Sequence, residues 1–143
     1  MRRGVVCAVA VTAVIDGVTS GRLSVGLKSG LIAAATAAAF WGVGQVASVA
    51  GQIAGQTAAQ LVSVAGSALV GCGQSVASGG KCGPGALSGA VTAAAGPYIN
   101  GHGVVVGLVA NSILGGLASV AGGGKFVNGA MTGAFWYLFS PGG

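Results

Sequence analysis

The chain has few charged side chains. Its 143 residues include one acidic residue, Asp16, six lysines and arginines, and one histidine, His102. Charged residues make up 5% of the sequence, whereas an ordinary soluble domain has about 25%. A single carboxylate excludes hydrolysis by a pair of acids, and the few Cys, His and Asp residues lack the spacing of a four-ligand zinc site. The sequence therefore predicts no enzymatic activity, no bound metal and no cofactor.

Basic residues are also too sparse to form a nucleic-acid interface. Only Arg2 and Arg3 are adjacent, and the other four cations are far apart, so the chain has no basic stripe. The net charge of +5 reflects missing acids and gives only a weak attraction to anionic lipid. We expect neither nucleic acid nor a small-molecule substrate as a partner.

Small and apolar residues make up most of the chain. It contains 30 glycines, 53% of its residues are hydrophobic, and the mean hydropathy is +0.87. This composition is the opposite of that of a disordered protein. Residues 29–80 carry no formal charge, which leaves too little polar surface for a soluble monomer. We predict that the chain inserts into a membrane, packs against a partner or belongs to a larger polypeptide, with self-association also open.

The N-terminal residues have features of a signal peptide. Arg2 and Arg3 precede an apolar segment over 4–15, as in a secretory signal. However, Asp16 ends this segment, and no pair of small residues lies at a suitable distance for cleavage. The alternatives are that the segment is the first helix of the domain or the truncated start of a longer chain.

The strongest sequence signal is an internal repeat. Residues 76–90 (VASGGKCGPGALSGA) and 120–134 (VAGGGKFVNGAMTGA) are identical at nine of fifteen positions, with an offset of 44, and a looser copy lies at 20–31. Each copy has a basic residue followed by two glycines four residues apart, and we predict repeat units over about 18–60, 63–97 and 104–141. The cations are Arg22, Lys81 and Lys125, and the glycine pairs are Gly26 and Gly30, Gly85 and Gly89, and Gly129 and Gly133.

This pattern predicts an all-α fold built as a single module of repeated Ala/Gly-rich helical hairpins. We expect helices over 5–16, 23–50, 52–70, 84–95, 104–121 and 126–139, with 104–106 as an alternative strand because three valines occur together. Double glycines before Lys81 and Lys125 supply the positive φ that ends a helix. Glycines four residues apart lie on one helix face and let a second backbone approach, in membranes and in tight soluble hairpins alike.

Two segments approach the length of a membrane span. Residues 31–50 and 104–121 are close to the roughly 20 apolar residues that a span requires. Both are rich in Ala, Gly and Ser, which drive insertion less strongly than Leu, Ile and Phe. Length and hydropathy therefore permit membrane spans without establishing them.

Several residues have two interpretations each. Cys72 and Cys82 are ten residues apart, which suits a disulfide across a turn in an exported protein, or two buried thiols in a cytoplasmic one. The aromatic clusters at 40–41 and 135–139 are either interfacial anchors or large side chains that fill an Ala/Gly core. His102 is expected to be a solvated residue in a glycine-rich turn rather than a pH switch.

Three strings carry a resemblance to a known family: SGRLSVGLKSGLI, LVGCGQSVASGGKCGPGALSGAVTAAAGP and LVANSILGGLASVAGGGKFVNGAMTGAFWYLF. Over about residues 15–140 they resemble the C-terminal region of filamentous-hemagglutinin-like toxins of contact-dependent growth inhibition. The first two strings are similar to the "possible hemagglutinin" domain of unknown function, and the third to a stretch before the variable toxin tip. The family's cysteine pair matches Cys72 and Cys82, whereas Ser67 stands where the family pattern has a histidine.

The resemblance implies a non-enzymatic segment of an exported toxin or adhesin. Such a segment would be secreted or displayed at the bacterial surface, associated with a membrane or with the rest of the polypeptide, and would assist toxin delivery. No catalytic residue is carried over, because this region is not the toxin. The main alternative is a small bacteriocin-like or holin-like protein that permeabilises membranes, and a less favoured one is a fragment of a soluble toxin enzyme.

Overall fold

The computed structural model describes residue 21, residues 23–99 and residues 101–139. This part of the chain contains five α-helices and no strand, so the predicted all-α fold is confirmed. The valines at 104–106 belong to a helix, and the predicted apolar segment at 4–15 and helix at 5–16 lie outside the described residues. The helices are α1 (Leu23–Ala54), α2 (Gln56–Ala77), α3 (Cys82–Ile99), α4 (Val104–Ala121) and α5 (Phe126–Phe139).

Glycines with positive φ separate the helices. Gly55 lies between α1 and α2 with a φ of 90°, and Gly101 and Gly103 form the turn between α3 and α4. Gly79 and Gly123 have φ values of 84° and 86° in the turns after α2 and α4. Glycine adopts this conformation without the steric penalty of a side chain. The predicted role of the double glycines in ending helices is therefore confirmed at both repeat copies.

Five helix boundaries differ from the prediction: α2 begins at residue 56 rather than 52, α3 begins at residue 82 rather than 84, and three helices end later than predicted. The first helix continues to Ala54 rather than residue 50, and α2 continues to Ala77 rather than residue 70. Interior glycines such as Gly51, Gly71 and Gly73 therefore do not break the helices, since each weakens a helix by only about 1 kcal/mol. Close packing offsets this penalty at Gly71, which is buried against α3.

The third late end is that of α3, which continues past the predicted end at residue 95 and contains Pro97. A proline lacks the N–H that would bond to the carbonyl four residues earlier, here that of Ala93. The side-chain amide of Gln60 on α2 donates a hydrogen bond to this carbonyl at 3.3 Å. A neighbouring helix thus supplies the missing donor, and α3 continues to Ile99.

Successive helices pack antiparallel, so the chain runs back and forth between two ends of a bundle. On α1 and α2, Gly51 lies against Ala59 and Val43 against Gly66. Helices α3 and α5 run parallel as neighbours, since Pro84 lies beside Gly124 near their starts. The beginnings of α1, α3 and α5 and the ends of α2 and α4 therefore lie at the same end of the bundle.

The apolar core lies among α1, α3 and α5. Phe40, Phe135, Trp136 and Phe139 are buried there, and the rings of Phe135 and Phe139 stack with centroids 5.8 Å apart. Of the two interpretations of the aromatic clusters, core filling applies to these four side chains. Trp41 differs, because 42% of it is exposed. Alanines occupy most of the remaining core positions, namely Ala33, Ala37 and Ala93.

Candidate functional site

The interface between α2 and α3 brings two backbones into direct contact. Gly71 and Gly85 are buried against each other, and a Cβ atom built on either one would overlap the carbonyl oxygen of the other. At the next turn of α3, a Cβ atom on Gly89 would overlap the carbonyl oxygen of Ser67. Only residues without a side chain fit at these glycine positions, which is the packing that closely spaced small residues permit.

The interface between α4 and α5 has the same construction 44 residues later. A Cβ atom on either Gly115 or Gly129 would overlap the carbonyl oxygen of the other, as for Gly71 and Gly85. Likewise, a Cβ atom on Gly133 would overlap the carbonyl oxygen of Asn111. Each of these residues lies 44 positions after its counterpart in the first hairpin. The sequence repeat is therefore a repeat of tertiary contacts.

The two glycine–lysine turns share a hydrogen-bond pattern. The hydroxyl of Ser75 donates to the carbonyl oxygen of Lys81 at 2.7 Å, and that of Ser119 donates to the carbonyl oxygen of Lys125 at 2.9 Å. In both turns the N–H of the second glycine donates to the serine carbonyl, at 2.7 Å from Gly80 and 2.8 Å from Gly124. Each serine thus fixes its turn from both its side chain and its backbone.

The two hairpins differ at one pair of equivalent positions between their helices. Cys72 on α2 and Cys82 on α3 form a disulfide, with Cα atoms 4.1 Å apart. The equivalent positions in the second hairpin are Gly116 and Phe126, and a Cβ atom on Gly116 would overlap the ring of Phe126. A covalent bond in one copy is thus replaced by ring-to-backbone packing in the other.

Buried polar side chains join the two hairpins. The hydroxyl of Ser88 on α3 donates to the carbonyl oxygen of Gly129 on α5 at 3.1 Å. The hydroxyl of Thr132 on α5 donates to the side-chain oxygen of Gln74 on α2 at 2.7 Å. Both bonds are buried, so water does not compete for these groups.

The interior of the bundle is rich in small and polar residues. Thr36, Ser67, Ser88, Thr92 and Asn111 are each at most 5% exposed. Several bond to the backbone of their own helix, such as Thr92 to the carbonyl oxygen of Ser88 at 2.7 Å. The other buried polar residues are Gln74, Ser75, Ser119 and Thr132.

The exterior of the bundle carries large apolar side chains, which point outward from all five helices. Leu31 of α1 is 72% exposed, and Leu69 of α2 and Val105 of α4 are each 74% exposed. Leu87 of α3 and Val127 of α5 are exposed as well. Monomeric soluble proteins rarely expose large contiguous apolar patches. This combination of exposed large apolar side chains and buried polar side chains is therefore unusual for a soluble bundle.

Three of the described helices are long and apolar enough to cross a membrane. The segments are Gly26–Ala54, Gln56–Ala77 and Val104–Ala121, and the last has a mean hydropathy of 2.0. At 1.5 Å per residue, these 18 or more residues extend about 27 Å or longer, close to the thickness of the hydrocarbon layer. The sequence had indicated two such segments, and the continuous α2 adds a third.

The lysines of the described residues lie at one end of the bundle, which we call the lysine end: Lys28 near the start of α1, Lys81 before α3 and Lys125 before α5. All three are exposed. The opposite end carries the Gly55 junction and the exposed His102 turn. No Asp or Glu follows Asp16 in the sequence, so the described residues contain no acidic side chain to pair with these lysines.

The remaining predicted site residues have the following places. Gly26 and Gly30 are buried near the start of α1. Arg22 lies outside the described residues, although α1 begins directly after it, as α3 and α5 begin after Lys81 and Lys125. Within the described residues, no three His, Cys, Asp or Glu side chains are grouped as metal ligands would be.

Sequence reasoning missed several residues that shape the interfaces. Gly71 and Gly115 each supply one of the two glycines in a backbone contact. Ser75 and Ser119 fix the turns. The offset of 44 extends to these four positions and could have identified them. Gln60 has no such signal, because its partner carbonyl is 33 residues away and bonds to it only in the folded bundle.

No family model matches the chain, and no curated protein or solved structure is significantly similar to it. The likeness to hemagglutinin-like toxins therefore stays a prediction from the three sequence strings.

Proposed function

We propose that the chain is a non-enzymatic, membrane-embedded helical module. The observation that carries this proposal is the distribution of polarity in the bundle: large apolar side chains of all five helices are exposed, and polar side chains are buried beside the aromatic core. In lipid, the outward leucines and valines are solvated by acyl chains, while helices associate through close packing and hydrogen bonds. The glycine contacts of both hairpins and the buried Ser88 and Thr132 bonds supply these two interactions.

The positions of the charged residues along the bundle also agree with a membrane location. The lysines lie at one end, where they reach the headgroup region, and no charged residue falls within 29–80 or 82–124. A charged side chain in the middle of an embedded helix would cost several kcal/mol. The apolar middle and the basic end thus match the layers of a bilayer.

The resemblance to hemagglutinin-like toxins extends this proposal to a biological setting. We propose that the module is part of an exported toxin or adhesin, secreted or displayed at the bacterial surface, and that it assists delivery by entering a membrane. The support for this setting is the three sequence strings, including the matched pair Cys72 and Cys82.

Insertion is tested with a lysine in the middle of the lipid-facing surface of α4. Ile113 is 48% exposed and lies at the centre of the most apolar candidate span. Ile113→Lys is expected to disfavour insertion by about 3 kcal/mol, because the ammonium group would enter hydrocarbon. In a soluble bundle, the same exposed lysine would be neutral or would improve solubility.

The measurement is flotation of the full chain with phosphatidylcholine vesicles. The matched control is His102→Lys, which adds the same charge in an exposed turn and is expected to float like the wild type. Equal flotation of Ile113→Lys and the wild type would contradict the proposal, as would a chain that ignores vesicles altogether. Leakage of a trapped dye in the same assay distinguishes the permeabilising alternative from a module that inserts without opening a passage.

A further inference from the structure

Two repeat-related lysines line one depression at the lysine end. Lys81 and Lys125 surround a volume of about 320 Å³ together with Ser78 and Asn128. The lysines come together because α3 and α5, which they precede, are parallel neighbours. Both helices begin at this depression, so the positive ends of their dipoles add to the charge of the two ammonium groups.

Within the described residues, no acidic side chain lies near this depression to balance its positive charge. Asp16 is the single acidic residue of the sequence, and no Asp or Glu occurs within 17–143. Lys28 lines a neighbouring depression and adds a third cation at the same end. An anion from outside the bundle can therefore approach these lysines without competition from an acidic side chain of the described residues.

Exposed apolar side chains directly follow three of the residues that line the depression. Val76, Val120 and Phe126 come after Ser75, Ser119 and Lys125 in the sequence, and all three are exposed. An anion that is bound between the lysines would thus lie at the polar edge of an apolar surface. A phospholipid has this combination of a charged headgroup and long acyl chains, whereas a free inorganic anion has only the charge.

We propose that the Lys81–Lys125 depression binds the headgroup phosphate of an anionic phospholipid. This inference rests on the proposed membrane location and specifies which lipid the lysine end prefers. The two ammonium groups bind the phosphate, and the acyl chains extend along the exposed side chains of α2, α4 and α5.

The test uses the full chain in neutral detergent micelles, titrated separately with phosphatidylglycerol, phosphatidylcholine and inorganic phosphate. Native mass spectrometry counts the bound lipid. We expect phosphatidylglycerol to bind more tightly than phosphatidylcholine, and inorganic phosphate not to displace it at equal concentration. The double variant K81Q/K125Q is expected to weaken phosphatidylglycerol binding about 30-fold, since each lysine near an anionic lipid contributes about a fivefold effect.

Two matched variants make the test specific. K28Q removes one charge from the neighbouring depression and is expected to weaken binding less than either K81Q or K125Q alone. K81R/K125R keeps both charges and is expected to retain binding. Circular dichroism of each variant checks that these exposed substitutions leave the helices intact.

The results separate the inference from the proposed function. A chain that floats with phosphatidylcholine vesicles but shows no preference for phosphatidylglycerol, or loses as much binding in K28Q as in K81Q, overturns the lipid site alone. Displacement by equimolar inorganic phosphate overturns it as well, because the ligand is then a free anion. A chain that floats with no vesicle overturns the membrane location and the lipid site together.

Discussion

The carbonyl oxygen of Gly71 occupies the space that a Cβ atom would need at Gly85, and 44 residues later Gly115 and Gly129 have the same relation. Two hairpins of one chain therefore depend on the same backbone contact. Because this contact is repeated, together with its turns and its lysines, the effect of each substitution can be compared between the two copies.

The first prediction concerns the glycine contact. Gly85→Ala is expected to lower the free energy of unfolding by about 1–3 kcal/mol, because its methyl group meets the rigid backbone of Gly71. The matched control is Gly73→Ala on α2, where an added Cβ has no neighbour within 4 Å. This control is expected to be stabilising by about 0.5–1 kcal/mol, as alanine favours the helix. Denaturant unfolding in micelles, followed by circular dichroism, measures both variants, and equal stability would contradict the contact.

The second prediction concerns the disulfide. The double variant C72S/C82S is expected to unfold more easily by about 2–3 kcal/mol, because the cross-link restricts a short loop in the unfolded chain. Reduction of the wild type should reproduce this loss, and reduction of the double variant should cause no further change. If a reductant leaves the denaturation midpoint of the wild type unaltered, then the bond does not contribute to stability.

The third prediction transfers the cross-link to the second hairpin. Gly116→Cys together with Phe126→Cys places cysteines at the positions equivalent to Cys72 and Cys82, and removal of the Phe126 ring frees the space beside residue 116. Under oxidising conditions we expect a disulfide between α4 and α5. Alkylation without reduction should then modify Cys7 alone, as mass spectrometry can show. The control also removes the ring and combines Gly116→Cys and Phe126→Ala with Val127→Cys, whose exposed position is expected to leave the two new thiols unbridged.

The fourth prediction concerns Gln60, whose side-chain amide donates to the carbonyl oxygen that Pro97 leaves without a backbone partner. Gln60→Ala removes the hydrogen bond to the Ala93 carbonyl and is expected to cost about 1–3 kcal/mol, because that carbonyl loses its partner. Pro97→Ala restores the backbone N–H for the same carbonyl. In the Pro97→Ala background, Gln60→Ala should therefore cost much less. A double-mutant cycle measures this coupling, and additive effects of the two substitutions would refute it.

Much of the fold follows from local sequence. The boundaries of α4 and α5 agree with the prediction at 104–121 and 126–139, since glycine turns limit both helices. The turns at Gly79 and Gly123 also follow from local chemistry, because only glycine adopts positive φ without penalty. The prediction is wrong at the starts of α2 and α3 and at the ends of α1, α2 and α3. The late ends arise because interior glycines and Pro97 do not break these helices.

The sequence alone determined the helical class, the repeat of 44 residues and the shortage of charge, because each depends on residue type and spacing along the chain. Only the tertiary structure decided that Gln60 supports Pro97, that the aromatic cluster at 135–139 fills the core, and that Lys81 and Lys125 share one depression. These relationships join helices that are distant in sequence. They depend on which faces pack together, and in an Ala/Gly-rich helix no strong difference between faces indicates this in advance.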